Sequence, residues 1–477
     1  MKAIARAFVI ALQLPLVSAL PAQIPDTVIL QLKSEIPFAG LGLPQKVLQD
    51  QPGRPYCYIA AKEGGLRIYK TDDISNPVFK KNIPVGSLEG QEVMNIWQEG
   101  NYLYLALGNF FNGNSKAGLA IVDVASPENA FVTDTWLQDT PDKGCAFVTV
   151  SGNYAYLGAM TQGLILLDVG NKNDISFVSQ YIPDINFPVP NPNSIQMPNA
   201  RGMAVRGNEV FLCYDAGGLR VIDVSDKWHP VETGRYINPD ALGKQQAYNN
   251  IALNGDTAYV AVDFCGLEIL DIADTGNIAP VSWWNPWDCQ SPGNTWVNSP
   301  GHCNQIDFDA VGRFVFLSTG RSELNIVDVG DPLHPRQVGS YGSPTDNYFA
   351  WGVTQTGHRV YLAYISSLFP FFSIWAGVRI LEWEKTTGVG EAPSVYSANV
   401  YPNPFSGQVN FEFSLNQKSE LQIQIFDLQG NRVENVAGGV FEAGKHSLAA
   451  GVSLPAGMYL LRINAPSGTM SRKLVKF

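Results

Sequence analysis

Short apolar runs alternate with polar turns along most of the chain, and the runs return in a fixed order. Residues 200–237 show the unit: "ARGMAVRGNEVFLCYDAGGLRVIDVSDKWHPVETGRYI". Turn signals divide it into four runs, at 202–205, 209–214, 219–224 and 231–237. Each run is rich in β-branched and aromatic residues and is bounded by Gly, Asp, Asn or Pro, which is the signature of a strand. The third run is apolar on both faces, with Leu219 and Val221 on one and Ile222 and Val224 on the other. A strand on a one-sided sheet alternates apolar and polar positions, whereas a strand packed between two sheets need not. No window carries a helical apolar stripe of useful length.

The phrase around that third run is written again and again. It appears as "GLAIVDVASPENA" from Gly118, "GLILLDVGNKNDI" from Gly163, "GLRVIDVSDKWHP" from Gly218, "GLEILDIADTGNIAP" from Gly266 and "ELNIVDVGDPLHP" from Glu323. Looser copies start at Gly65 and Gly377. The spacing of roughly 45 to 60 residues falls in the range of propellers and solenoids. Four antiparallel strands per repeat, about seven repeats and blades buried on both faces predict a seven-bladed β-propeller. The glycine entering the third strand suits a turn that needs φ > 0. Asp123, Asp168, Asp223, Asp271 and Asp328 share one position at the strand's end, where a short carboxylate accepts backbone N–H bonds of the next turn. They read as scaffold.

The phrase resembles the LVIVD-repeat family over about Gln31 to Lys385, with the aspartate replaced by Lys70 and Glu382 in the outer copies. The resemblance implies a β-propeller and carries over no functional residues. The seventh copy supplies only three strands, "WGVTQ", "RVYLAYI" and "GVRILEW". An open ring leaves two unpaired edges. The segment 26–38, "DTVILQLKSEIPF", has the strand pattern and is expected to complete the last blade by pairing antiparallel with 378–383.

Both ends of the chain carry address labels. Lys2 and Arg6 precede a short apolar run and "PAQ", so residues 1–22 read as a signal peptide, too short to span a bilayer. No other window suits a membrane helix, so no transmembrane helix is expected in the mature chain. Residues 23–385 form the expected propeller, 386–394 a linker, and 395–477 a small β-sandwich of strands joined by Asn/Gly turns. This last unit resembles the C-terminal sorting domain of the type IX secretion system. The resemblance rests on "YPNPF" (401–405), "IFDLQGNRV" (425–433), "GMYLLRI" (457–463) and the final "KLVKF". It implies export across two membranes, to the cell surface or the medium, with an outer-membrane translocon as partner.

Charge and cysteine content refine the picture. Net charge is −11 with no basic stripe, which argues against a nucleic-acid partner. Six cysteines in an exported protein permit disulfides. Cys289 and Cys303 bracket one long loop and are expected to pair across it, whereas Cys57 and Cys213 sit inside strands as buried hydrophobes.

Whatever the repeats share is scaffold; whatever one copy alone carries is a candidate for function. The expanded loops run between blades or between second and third strands, and open on one rim. Residues 283–305 carry Trp283, Trp284, Trp287 and Trp296, residues 365–377 add Phe369, Phe371, Phe372 and Trp375, and residues 107–118 add Phe110 and Phe111. These aromatics either receive a ligand or cap the blades and shield one another. Asn95, Arg201, Asn249, Asn304 and Trp351 enter the innermost strands and differ between repeats, as ligand contacts would. Asp215 and Asp263 end second strands and either join that set or bond a turn. His302 is the one histidine in a candidate loop; His229 and His334 share a repeat position before proline and read as turn residues. There is no HExxH, GxSxG or phosphate-cradling motif. No cofactor and no metal site is expected. The sequence therefore points to a secreted or surface propeller that binds a glycan or protein at its rim, and to a non-enzyme rather than an enzyme. The alternative is a carbohydrate-active hydrolase or lyase with carboxylates from separate blades at the channel mouth. A structural surface module is a third class.

Overall fold

A computed structural model describes residues 27–38, 43–109, 113–194, 196–241, 243–244, 246–309, 311–366, 373–386, 395–415, 418–427, 431–450, 453–465 and 468–477. The expected signal peptide, most of the expected linker, and Phe110, Phe111, Phe369, Phe371 and Phe372 lie outside the described residues.

The repeat analysed above folds as four antiparallel strands, Met203–Arg206, Glu209–Cys213, Leu219–Asp223 and Val231–Tyr236. Residues 27–386 build seven such four-stranded sheets, numbered here as blades 1 to 7 in the order of their first strands. Those first strands are Lys46–Gln49, Val93–Glu99, Phe147–Ser151, Met203–Arg206, Tyr248–Asn254, Gln305–Phe308 and Ala350–Thr356. Each touches the next around an unbroken ring, and the last touches the first. They line a central channel, and the third strands lie buried between neighbouring blades. The fold is a seven-bladed β-propeller.

Blade 7 is closed by the N-terminal strand. Thr27–Pro37 is the outer neighbour of Gly377–Thr386. Phe38 N–H donates to the Ala376 carbonyl at 3.0 Å, Glu35 meets Arg379, Lys33 meets Glu382, and Thr27 meets Thr386. One series of numbers rises as the other falls, so the pairing is antiparallel, and no edge stays open.

The recurrent phrase has a physical basis at each end. Gly65, Gly163, Gly218 and Gly266 hold φ between +73° and +86°. A Cβ on any of them would lie 2.1 to 2.3 Å from the carbonyl oxygen that ends the fourth strand of its own blade. Gly118 is needed for space alone, since a Cβ there would meet Leu137 and the Trp136 carbonyl. At the far end, Oδ1 of Asp123, Asp168, Asp223, Asp271 and Asp328 accepts the N–H two residues on, at 2.7 to 3.0 Å. The turn that follows is supported again where Asp226 and Asp331 accept Nδ1 of His229 and His334 at 2.8 Å.

Blades are also joined by backbone. Lys62 exchanges two hydrogen bonds with Val93, Met160 with Ala200, Asp215 with Tyr248, and Gly320 with Ala350. Each pair ties the turn after one blade's second strand to the first strand of the next.

The C-terminal unit is a β-sandwich. Val395–Tyr401, Val409–Leu415 and Gly444–Ala450 form one sheet; Arg432–Phe441, Ser419–Phe426, Gly457–Ala465 and Gly468–Lys476 form the other. Phe411, Phe413, Ile423, Ile425, Leu461 and Leu474 fill the space between them.

The expected Cys289–Cys303 bridge is corrected by the structure, in which Cys289 bonds Cys265 with Cα atoms 5.1 Å apart. Cys265 ends the short 3-10 turn Asp263–Cys265, at the start of blade 5's third strand, so the bridge ties the long loop to its blade rather than to itself. Cys303 has crossed to the next blade, where its N–H donates to the Asp263 carbonyl and its side chain joins a different apolar cluster. Cys57, Cys145, Cys213 and Cys303 are free and buried.

Candidate functional site at the channel mouth

The first strands leave a channel of about 440 Å³. Lys46 and Asp307 face into it, opposite charges from blades 1 and 6. Lys46 donates to the Val353 carbonyl at 2.7 Å, and Asp307 accepts the Gln355 N–H at 2.9 Å. Burial lowers the Lys46 ammonium and raises the Asp307 carboxyl, and each charge opposes the shift of the other.

At one end the channel narrows to a cavity of about 20 Å³. Asn95, Arg201, Asn249, Asn304 and Trp351 line it together with Gln305. Ala146 and Phe147 of blade 3 also line it, so six blades converge there, through residues at the start of their first strands. Register shifts beside Met94, Asn249 and Trp351 show how, since a bulge re-aims the side chains at a strand's end. The Arg201 guanidinium lies 6.0 Å from the Trp351 ring centroid. Asn249 Nδ2 donates to the Cys303 carbonyl at 2.9 Å and so stitches the seam of blades 5 and 6, while Asn304 Nδ2 donates locally to the His302 carbonyl at 3.1 Å. Gln305 was not among the sequence candidates. It falls one place after Asn304 and looks like ordinary strand sequence; only the ring geometry brings it to the cavity.

Asp215 and Asp263 lie beside the mouth rather than in its lining. Asp215 Oδ2 accepts Asn199 Nδ2 at 3.0 Å, and Asn199 Oδ1 accepts Lys143 Nζ at 3.1 Å. Burial raises the Asp215 carboxyl, Arg201 opposes the rise, and Asp263 adds to it. Asp263 is buried. Its Oδ2 accepts Trp296 Nε1 at 2.9 Å, and its Oδ1 meets His302 Nδ1 in a short contact. His302 is buried between Trp296 and Phe349.

The remaining tryptophans support their own loop. Trp283 Nε1 donates to the Cys265 carbonyl at 2.6 Å. Trp284 packs edge-on to Trp287, which in turn fills the space over Gly301. None of Trp283, Trp284, Trp287 and Trp296 is exposed. Beside Cys265–Cys289, these contacts fasten residues 283–305 to blade 5.

Among the described residues, no group of three or more His, Cys, Asp or Glu side chains is placed to hold a metal ion. No described helix is long and apolar enough to cross a membrane.

Comparison with known proteins gives a consistent family picture. The LVIVD repeat matches residues 90–130, 146–182, 199–238, 247–281 and 307–343. These are blades 2 to 6; the outer blades, where Lys70 and Glu382 replace the aspartate, fall outside the matches. The secretion system C-terminal sorting domain matches residues 399–476. Among solved structures, the β-propeller domain of Cps50 (Swd1) from Myceliophteria thermophila aligns at 13% identity and TM-score 0.50, covering 75% of this chain and 99% of that one. The computationally designed Ika8 protein aligns at 9% identity and TM-score 0.42, covering 74% and 99%. No curated protein matches the chain. Repeats, ring and tail together make this chain an LVIVD-repeat β-propeller protein with a type IX secretion sorting domain, exported to the cell surface or the extracellular space.

Proposed function

We propose that the protein is a non-catalytic binding propeller that takes a glycan or protein ligand at the loop-bearing rim around the channel mouth. One observation carries the reading: Asn95, Arg201, Asn249, Asn304 and Trp351, each from a different blade, line one cavity. Shared repeat positions serve turns and seams, whereas these positions vary from blade to blade. The loop of residues 283–305 is fastened beside them, which suits a preformed site that loses little freedom on binding. In this reading residues 1–22 direct export across the inner membrane. Residues 386–394 are a linker, and residues 395–477 serve export alone, through contact with the translocon.

The test uses the full chain on glycan and protein arrays, with Arg201→Ala and Trp351→Ala in parallel. Retained ligands that are lost in both variants, at unchanged melting temperature, support the proposal. Robust turnover of a substrate without retention overturns it.

A carbohydrate-active enzyme is the second reading, and one observation favours it. Asp215 bridges to Tyr248, and the Asp263 N–H donates to the adjacent Ala247 carbonyl, so two carboxyl-bearing residues flank one stretch of strand beside the mouth. Hydrolysis of chromogenic glycosides, abolished in both Asp215→Asn and Asp263→Asn, would establish that reading.

A further inference from the structure

The channel below the mouth carries a feature independent of the rim ligand proposed above: two opposite charges, each peculiar to one blade. Lys46 pairs with Ala60 of blade 1. In five other blades the residue facing the matching small residue is Asn95, Phe147, Asn250, Gln305 or Gly352, none of them charged. Asp307 pairs with Phe316, and its counterparts facing the matching aromatic are Leu48, Trp97, Thr149, Ala204, Ala252 and Thr354. The two charges are therefore not part of the shared frame. Their bonds to blade 7 do not account for them either. Lys46 Nζ donates to the Val353 carbonyl and Asp307 accepts the Gln355 N–H, and a neutral hydroxyl or amide can make either bond. Those bonds also hold the charges apart. Among the described residues neither Lys46 nor Asp307 closes an ion pair, whereas Arg379 meets Glu323 at 2.8 Å and Arg313 meets Asp328 at 2.7 Å. The Lys46 ammonium keeps two N–H donors, and the Asp307 carboxylate accepts from the Phe308 and Gln355 backbone alone. An ionised group held away from water without its counter-charge is costly.

We propose that the channel binds a small zwitterion, an α-amino acid with an apolar side chain, its carboxylate on Lys46 and its ammonium on Asp307. A lone anion gains Lys46 but meets Asp307, and a lone cation meets the reverse. A neutral sugar leaves both charges unanswered. A molecule that carries both signs answers both at once. The channel's volume of about 440 Å³ lies within the range of small-ligand sites, roughly 300–1,000 Å³. Leu48, Trp97, Val150, Leu253 and Ile306 line much of the remaining wall and suit an apolar side chain. Entry is from the face away from the rim. The mouth narrows to about 20 Å³, whereas Ser151 lines the channel at the far end of its strand and is exposed there.

Titration calorimetry of the full chain tests the assignment with leucine and phenylalanine, their amides, which lack the carboxylate, and their N-acetyl forms, which lack the ammonium. The free amino acids bind, and both capped series bind at least about ten-fold more weakly. Single variants then exchange the preference. Lys46→Met leaves Asp307 alone in the channel and should favour the amides over the free amino acids. Asp307→Asn leaves Lys46 alone and should favour the N-acetyl forms. A pair that serves only to brace blade 7 would lose stability in both variants with no such exchange. Neither heat nor a rise in melting temperature with either free amino acid at millimolar concentration overturns the proposal. So does equal binding of free and capped forms by the wild type, a comparison that needs no variant to fold.

Discussion

Glu323 stands where four other blades carry a left-handed glycine, and it holds φ +55° there. An L-residue in that region costs about 1–2 kcal/mol. Its carboxylate is fully buried at the seam of blades 6 and 7. It accepts the Tyr364 hydroxyl at 2.6 Å and Arg379 Nη1 at 2.8 Å, while Arg379 Nε reaches Glu35 on the N-terminal strand at 2.8 Å. Tyr341, Tyr348, Tyr364 and Trp375 surround the guanidinium. Replacing Glu323 with glycine relieves about 1 kcal/mol of backbone strain, but it leaves Arg379 with the partly exposed Glu35 as counter-ion and strips the buried Tyr364 hydroxyl of its acceptor, changes that together cost about 3–5 kcal/mol. Glu323→Gly is therefore expected to lose about 2–4 kcal/mol. Arg379→Met strands the carboxylate instead and should cost a similar amount. The double variant removes strain and both charges, so it should lie close to the wild type, with a coupling energy of about 2 kcal/mol or more. Urea denaturation followed by the fluorescence of the chain's ten tryptophans reads all four proteins; Trp383 among them packs on Phe314 and Phe316 across the same seam. Additive losses, or a Glu323→Gly variant more stable than the wild type, would refute the reasoning.

Three further outcomes are expected. Non-reducing peptide mapping should yield a Cys265–Cys289 peptide that survives Cys303→Ala. Cys289→Ala should cost about 3 kcal/mol for a loop of this length, and a Cys289–Cys303 peptide would contradict the assignment. Glu268 is buried, bonded to Tyr248 and Asn238, and burial pushes its carboxyl up to about 7. Between the unfolded value near 4.5 and that folded value, the native state keeps a proton that the unfolded state has released. Stability should fall by roughly 3 kcal/mol as pH rises through this window. Glu268→Gln should lack the slope and exceed the wild type above pH 7; equal slopes in both proteins would sink the assignment. Deleting residues 395–477 should leave the propeller's melting transition intact while blocking export from the native host, and normal secretion of that variant would contradict the sorting role.

The propeller is legible in the sequence because its causes are local. A glycine with no room for a Cβ and an aspartate that caps a turn recur at fixed places in the phrase, and each acts within a few residues or within one blade. Ring closure is legible by subtraction, since a seventh repeat with three strands needs a fourth. The disulfide is not legible, because loop length along the chain says nothing about which cysteine the loop folds back upon. Cys265 hides inside a turn next to the repeat phrase. The mouth residues could be found where repeats differ, yet Gln305 escapes that filter because the partner of its side chain, the Gln45 carbonyl, lies at the other end of the propeller's sequence. Glu323 is visible as a glycine replaced in "ELNIVD"; what compensates it, an arginine more than fifty residues on, is visible only once blades 6 and 7 lie side by side.

The paired backbone bonds between blades have a consequence for how such a molecule can change. Lys62, Met160, Asp215 and Gly320 occupy one architectural joint, and all four hold φ between +45° and +60°. The hydrogen bonds of the joint are made by peptide groups alone, so the same pairing forms with a cation, a thioether, an acid or nothing at all at its corner. What can stand there is set blade by blade by the space around it, since a Cβ on Gly320 would come within 2.9 Å of His302 and 3.0 Å of Phe349. The loop-bearing face is in that sense a keyboard with fixed keys, on which a letter can be replaced only where the neighbouring blade leaves room.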